Sequence, residues 1–87
     1  MVTRIAVIAI IVEDNGESGE LNAILHQYSE YVVGRMGVPY RAKGVGVISI
    51  ILDAPQDVIS ALSGKLGMLP GVSSKTVYSK IATEKEL

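Results

Sequence analysis

The 87-residue chain contains no cysteine and a single histidine, His26. The absence of cysteine excludes disulfides, cysteine-ligated iron–sulfur clusters and thiolate zinc sites. One histidine does not supply a histidine-rich metal site either, so the sequence predicts no metal centre and no cofactor. A chain without cysteine also fits a reducing compartment, and we expect the protein to be cytoplasmic.

Excess positive charge is absent as well. Eight Lys and Arg residues stand against nine Asp and Glu residues, which gives a net charge of −1 and a pI of about 5.7. The basic residues are scattered along the chain and form no stripe that would follow a phosphate backbone. We therefore expect no direct binding to nucleic acid.

The apolar run IAVIAIIV at 5–12 is far shorter than the ~20 residues that a membrane-spanning helix needs. It is rich in Ile and Val, it is followed by Glu13, and no small-residue cleavage site comes after it. These features indicate a buried strand rather than a membrane segment or a signal peptide. The chain is nevertheless 48% apolar with a mean hydropathy of +0.37, which is high for such a small domain.

A first helix is predicted over 17–29. Its apolar residues recur at i, i+3, i+4 and i+7, the spacing of one buried helical face. They are Leu21, Ile24, Leu25 and Tyr28. The preceding segment EDNGESGE is a polar turn cluster whose side chains suit the start of a helix.

A second helix follows Asp53, which we expect to cap it, with Pro55 in the first turn. Gly67 is predicted to end this helix in a left-handed conformation, because Pro70 cannot continue it. Its buried stripe comprises Val58, Ile59, Leu62, Leu66 and Leu69.

Four strands are predicted, over 4–12, 31–40, 45–53 and 72–80. Together with the helices they give the order β-α-β-β-α-β, with the short polar segment RAKG between the second and third strands. This order predicts an α+β fold, the ferredoxin-like βαββαβ sandwich, with a four-stranded antiparallel sheet and two helices on one face. We expect one domain over 1–80 and a solvated C-terminal tail over 81–87.

The composition of the strands agrees with that topology, in which the first and third strands are central. Both of these are apolar on nearly every position. The second strand contains Gly34, Gly37 and Pro39, and the fourth alternates with polar residues, as edge strands do.

Two helices cover one face of such a sheet, and the first strand is apolar on both. Either Ile5, Val7, Ala9 and Ile11 lie under the helices or the alternate residues do, and the sequence does not decide between these phases. We take the second set as the interface residues; they are Ala6, Ile8, Ile10 and Val12. Because soluble monomers rarely leave such patches exposed, we predict a homo-oligomer, either a dimer or a tetramer.

The segments VGRMGVPY, LDAP, DVISALSGKLGMLPGV and TVYSK resemble the small proteins of the iron-only hydrogenase system regulator family. The resemblance covers about residues 4–80. It implies an oligomeric, ferredoxin-like regulatory domain without an attached DNA-binding domain.

More distantly, VEDNGESGELNAIL is similar to the first strand–helix turn of ACT domains, which bind amino acids near that loop. The resemblance implies a candidate ligand loop formed by Glu13, Asp14, Asn15 and Gly16. The Pro-Gly usual in ACT loops is absent, and turn and capping chemistry is the ordinary explanation of these residues. LSGKLGMLPGV is similar to the regulatory domain of nickel-responsive repressors, but the histidines and cysteine that bind nickel there are absent.

The remaining candidates have ordinary explanations. His26 is expected on the surface of the first helix, and Arg35 is either a charge that protects an edge strand or a contact to a ligand or partner carboxylate. No acid–base pair, nucleophile or phosphate-binding loop is present, so we expect no enzyme. The leading hypothesis is a regulatory module that senses a small metabolite or binds a protein partner at subunit interfaces. The alternative is an adaptor protein without a small-molecule ligand.

Overall fold

A computed structural model describes residues 1–13 and 18–84, and it confirms the α+β class. The described residues form two α-helices and a five-stranded antiparallel sheet. The elements are β1 (Val2–Glu13), α1 (Ser18–Gln27), β2 (Val32–Tyr40), β3 (Val45–Ala54), α2 (Gln56–Gly67), β4 (Val72–Tyr78) and β5 (Thr83–Glu84).

Four of the strands lie in the order β2-β3-β1-β4, and β5 pairs with β1 outside this path. The two strands that are apolar on both faces, β1 and β3, are therefore central, as their composition predicts. β2 lies at an edge and contains a register shift between Val32 and Gly34. An irregularity of this kind is typical of an edge strand that contains glycine and proline.

Both helices pack on the same face of the sheet, and the alternation of β1 has the opposite phase to the one chosen from the sequence. The residues predicted to form an interface, Ala6, Ile8, Ile10 and Val12, are between 0% and 9% exposed and belong to the core. They lie beneath side chains of α1 and α2, so the interface assignment for these four residues is wrong. A one-residue shift moves every side chain of a strand to the other face, and both sets in β1 are equally apolar.

Helix α2 begins later than predicted. Asp53 belongs to β3, and the residue at the cap position is Pro55, which has no side-chain cap. The pairing of β3 with β1 continues to Ala54, whose partner is Arg4, and this ladder holds Asp53 in the strand. The predicted cap at Asp53 is therefore wrong.

The end of α2 also differs from the prediction. The helix is followed by Met68 in a right-handed conformation, so Gly67 does not form the predicted left-handed cap. The left-handed glycine of this connection is Gly71, with a φ of 72°. In the link between β2 and β3, Gly44 adopts a φ of 65°, which agrees with the predicted turn ending in glycine.

Part of the predicted C-terminal tail is a strand. Thr83 and Glu84 pair with Thr3 and Val2, and the N-terminal ammonium group lies 2.6 Å from Glu84 Oε1. The isolated TE sequence has no pattern long enough to predict a strand, because its pairing depends on the start of β1. These two residues raise the strand count from four to five.

Candidate functional site

The face of the sheet opposite the helices is apolar and uncovered. Its large apolar side chains are between 36% and 66% exposed, and they come from all four strands of the main sheet. We call this set the open face; its members are Ile5, Val7, Ile11, Met36, Val38, Tyr40, Val47, Ile51 and Val77. It is continuous because its residues are neighbours in the register, as in the pairs Val7–Ile51 and Val7–Val77.

A cavity of about 510 Å³ lies at one end of the sheet, where β1 ends and β3 begins. Its charged lining residues are Glu13 and Arg41, and Asn22 of α1 adds an amide. We call it the end cavity. Its wall also includes Gly44 and Gly46, which bring backbone to the surface of the cavity without side chains.

A second cavity of about 330 Å³ lies between α1 and β2, on the helix side of the sheet. We call it the α1–β2 groove; it is lined by Asn22, Leu25, His26, Ser29, Val32, Arg35 and Ile50. Across it, Asn22 Oδ1 accepts a hydrogen bond from Arg35 Nη2 at 3.1 Å. Asn22 therefore lines both cavities.

The predicted ligand loop is only partly described. Glu13 is the last residue of β1, is exposed and lines the end cavity. Asp14, Asn15 and Gly16, the other three predicted ligand residues, lie outside the described residues. Their role in binding stays a prediction.

The two single candidates from the sequence come together. His26 is on the exposed surface of α1, as expected, and Arg35 projects from β2 toward the same helix, so both line the α1–β2 groove. Sequence analysis missed Asn22 and Arg41. Asn22 could have been found from its spacing to His26, because residues i and i+4 are neighbours on a helix. Arg41 was overlooked because the segment RAKG was assigned only to a turn.

Within residues 1–13 and 18–84, no three His, Asp or Glu side chains lie close enough to hold a metal ion. Over the same residues, neither helix has the length and apolar character that crossing a membrane requires. Glu13, Asn22, Arg35 and Arg41 line the two cavities and supply hydrogen-bonding groups for a charged or polar molecule.

The sequence matches the model of the TM1266-like family, whose description is "Iron-only hydrogenase system regulator, putative", over residues 4–76. It is also similar to a solved structure, "The structure of uncharacterized protein TM1266 from Thermotoga maritima", with 39% sequence identity and a TM-score of 0.84. That similarity covers 90% of this chain and 99% of the other. No curated protein matches the sequence.

Proposed function

Because the chain belongs to the TM1266-like family of iron-only hydrogenase system regulators, we propose that it is a non-enzymatic, homo-oligomeric regulatory module. In this proposal two copies pack through the open face, and a small polar ligand in the end cavity modulates the contacts of the oligomer with another factor. The single observation that carries the proposal is the open face.

The size of the open face supports self-association. From Ile5 to Ile11, β1 extends about 20 Å, and four strands span about 19 Å, so the apolar area is roughly 400 Å² before its rim is counted. Apolar patches of several hundred Å² are often functional surfaces. Burying a fully exposed large apolar side chain contributes roughly 1.5–3 kcal/mol. The open-face side chains are still 36–66% exposed, so covering each of them adds a share of that energy to a dimer.

The chemistry of the open face favours a second copy as the partner. The centre of the face is flat, because Ala9 and Ser49 are paired there and both are small. Small central residues with large apolar residues around them let two sheets approach closely in a two-fold arrangement. Lys75, beside Ala9, is the charged residue nearest this centre; it is exposed and belongs to the outer strand β4 of the path, where a long side chain reaches water.

The end cavity supports the ligand-binding part of the proposal. Glu13 and Arg41 carry opposite charges and both line the cavity, and Asn22 supplies an amide that donates and accepts hydrogen bonds. This combination suits a zwitterionic or similarly polar metabolite. At about 510 Å³ the cavity has the size of ordinary small-molecule sites.

The same proposal assigns the chain to the ferredoxin-like arrangement and to the cytoplasm. The strand order β2-β3-β1-β4 with one helix after β1 and one after β3 supports the first assignment. The lack of cysteine supports the second.

A thermal-shift screen tests the sensing function. The full chain is heated with a panel of amino acids, nucleotides and other polar metabolites, and a true ligand at 100 times its Kd stabilises the folded state by about 2.7 kcal/mol. We expect at least one such compound, and we expect Arg41→Gln to abolish its effect. A panel without any stabilising compound, combined with specific capture of one protein partner by the tagged chain, would instead favour an adaptor without a ligand.

A further inference from the structure

The α1–β2 groove has a composition that selects for a particular kind of ligand. Its floor is apolar, because Leu25 and Ile50 are 3% and 1% exposed and Val32 packs against the same core. Among the residues that the structure describes, its rim is polar and includes Arg35 and His26 but no carboxylate. The charge of the lining residues is therefore positive.

The groove exists because β2 has few side chains that fill the space on the helix side of the sheet. Between Val32 and Pro39 the residues of β2 that face the helices are Arg35 and Gly37, as their pairing with Ile50 and Ile48 shows. Glycine has no side chain, and the arginine side chain reaches α1 at Asn22 instead of filling the space beneath. The helix side of this edge is thus left open.

Arg35 is held in position from the helix. Its Nη2 donates to Asn22 Oδ1 at 3.1 Å, which uses one corner of the guanidinium group and fixes its direction. A planar guanidinium presents five N–H donors, so the other edge keeps a pair of parallel donors for a carboxylate. His26, which follows Asn22 at i+4 on α1, and Ser29, two residues beyond the end of that helix, add further polar groups to the rim.

We infer that the α1–β2 groove is a binding site for a small monocarboxylate with an apolar body. The guanidinium of Arg35 pairs with the carboxylate, and the apolar body lies on Leu25, Val32 and Ile50. A volume of about 330 Å³ suits a compound of this size. The groove opens on the side of the sheet opposite the open face, so the site is independent of the proposed dimer.

An NMR titration tests the inference with the full chain labelled with ¹⁵N at neutral pH. The probes are acetate, butyrate, hexanoate and inorganic phosphate. We expect saturable shifts at the amides of Val32, Arg35 and Ile50. Affinity should rise from acetate to hexanoate by about fourfold for each methylene that is buried. Phosphate has no apolar body and is expected to bind weakly.

Two variants assign the effect to the groove. Arg35→Gln removes the charge and is expected to weaken hexanoate binding at least about tenfold, the size of a charge-assisted hydrogen bond. Asn22→Asp keeps the fold of an exposed helical position but gives Arg35 a carboxylate of its own, and it should weaken binding similarly. Lys43→Gln, which removes an exposed cation that lines neither cavity, is the matched control and should leave hexanoate affinity unchanged.

Three results would overturn the inference: no saturable shifts with hexanoate, equal affinity for acetate and hexanoate, or unchanged binding in Arg35→Gln. Tighter binding of phosphate than of hexanoate would also overturn it, because the preferred ligand would then be an inorganic oxyanion without an apolar body. These outcomes leave the oligomeric state untouched, so failure here is distinguishable from failure of the proposed function.

Discussion

Val7 and Ile51 face each other across β1 and β3 on the open face, where they are 36% and 41% exposed. The next pair in the same register, Ile8 and Ile50, is 0% and 1% exposed beneath the helices. The two pairs have nearly the same chemistry and very different surroundings. The sheet is therefore apolar on both sides but covered on one, and we propose that a second copy covers the other.

Charge on the open face should prevent self-association. Val7→Lys places an ammonium group among the apolar side chains Ile51 and Val77 of the proposed interface, where burying it is costly. We expect the variant to stay folded, because position 7 faces away from the core, and to elute as a monomer in size-exclusion chromatography. Ala61→Lys adds the same charge on the exposed surface of α2 and should not change the elution volume. A Val7→Lys protein with the mass of the wild type would place the contact elsewhere.

Truncating a side chain should affect the free energy of unfolding differently on the two faces of β1. Ile8→Ala leaves a cavity in the core and is expected to lower the free energy of unfolding by about 2–5 kcal/mol at every protein concentration. Ile11→Ala removes an exposed side chain, so its cost should appear only at concentrations where the oligomer forms. Urea denaturation at low and high protein concentration measures both effects. A cost for Ile11→Ala that does not change with concentration would argue against burial by a second copy.

Arg4 connects the start of β1 to the C-terminal segment. Its Nη1 donates to Gln56 Oε1 at 2.9 Å, its Nη2 donates to the carbonyl of Lys80 at 3.4 Å, and its guanidinium lies 5.7 Å from the centre of the Tyr78 ring. Arg4→Met keeps the aliphatic stem but loses these contacts. We expect faster amide hydrogen exchange at Thr83 and a loss of about 1 kcal/mol of stability.

The control for Arg4→Met is Arg41→Met, which removes an arginine far from β5. Its exchange rate at Thr83 should match the wild type. Equal protection of β5 in the Arg4 variant would show that the strand pairing alone holds the C-terminal segment.

Substitution of two glycines by alanine should change the stability of the protein in opposite directions. Gly71 has a φ of 72°, where an L side chain costs about 1–2 kcal/mol, so Gly71→Ala should lower the melting temperature. Gly64 lies inside α2 with nothing within 4 Å of an added Cβ, so Gly64→Ala should gain roughly 0.5–1 kcal/mol. Thermal unfolding of both variants checks the pair, and a destabilised Gly64→Ala would contradict the open surroundings of that position.

Much of the fold was predictable because the apolar patterns are long. The central positions of β1 and β3 and the buried stripe of α2 followed from such patterns. The family was predicted from the resemblance of segments such as VGRMGVPY, and it was confirmed. The phase of β1 was not predictable, because Ile8 and Ile11 are equally apolar and only packing against the helices distinguishes them. The predicted strand already included Asp53, but its extension to Ala54, which removes the predicted cap, depends on the pairing of Ala54 with Arg4. The local capping pattern does not contain this contact.

The candidate site was less predictable than the fold. Sequence patterns identify neighbours along one helix or strand, whereas the α1–β2 groove joins Asn22 and Arg35 from two elements. Arg35 was recognised as a possible contact to a carboxylate because it stands between two glycines, but its partner could be found only from the packing of α1 on the sheet.

The molar mass of the wild-type chain in solution, measured by light scattering during size-exclusion chromatography, tests the central proposal most directly. We predict a mass of at least twice the 9.2 kDa of the single chain at micromolar concentration. A mass of one chain throughout the micromolar range would contradict the proposal that a second copy covers the open face.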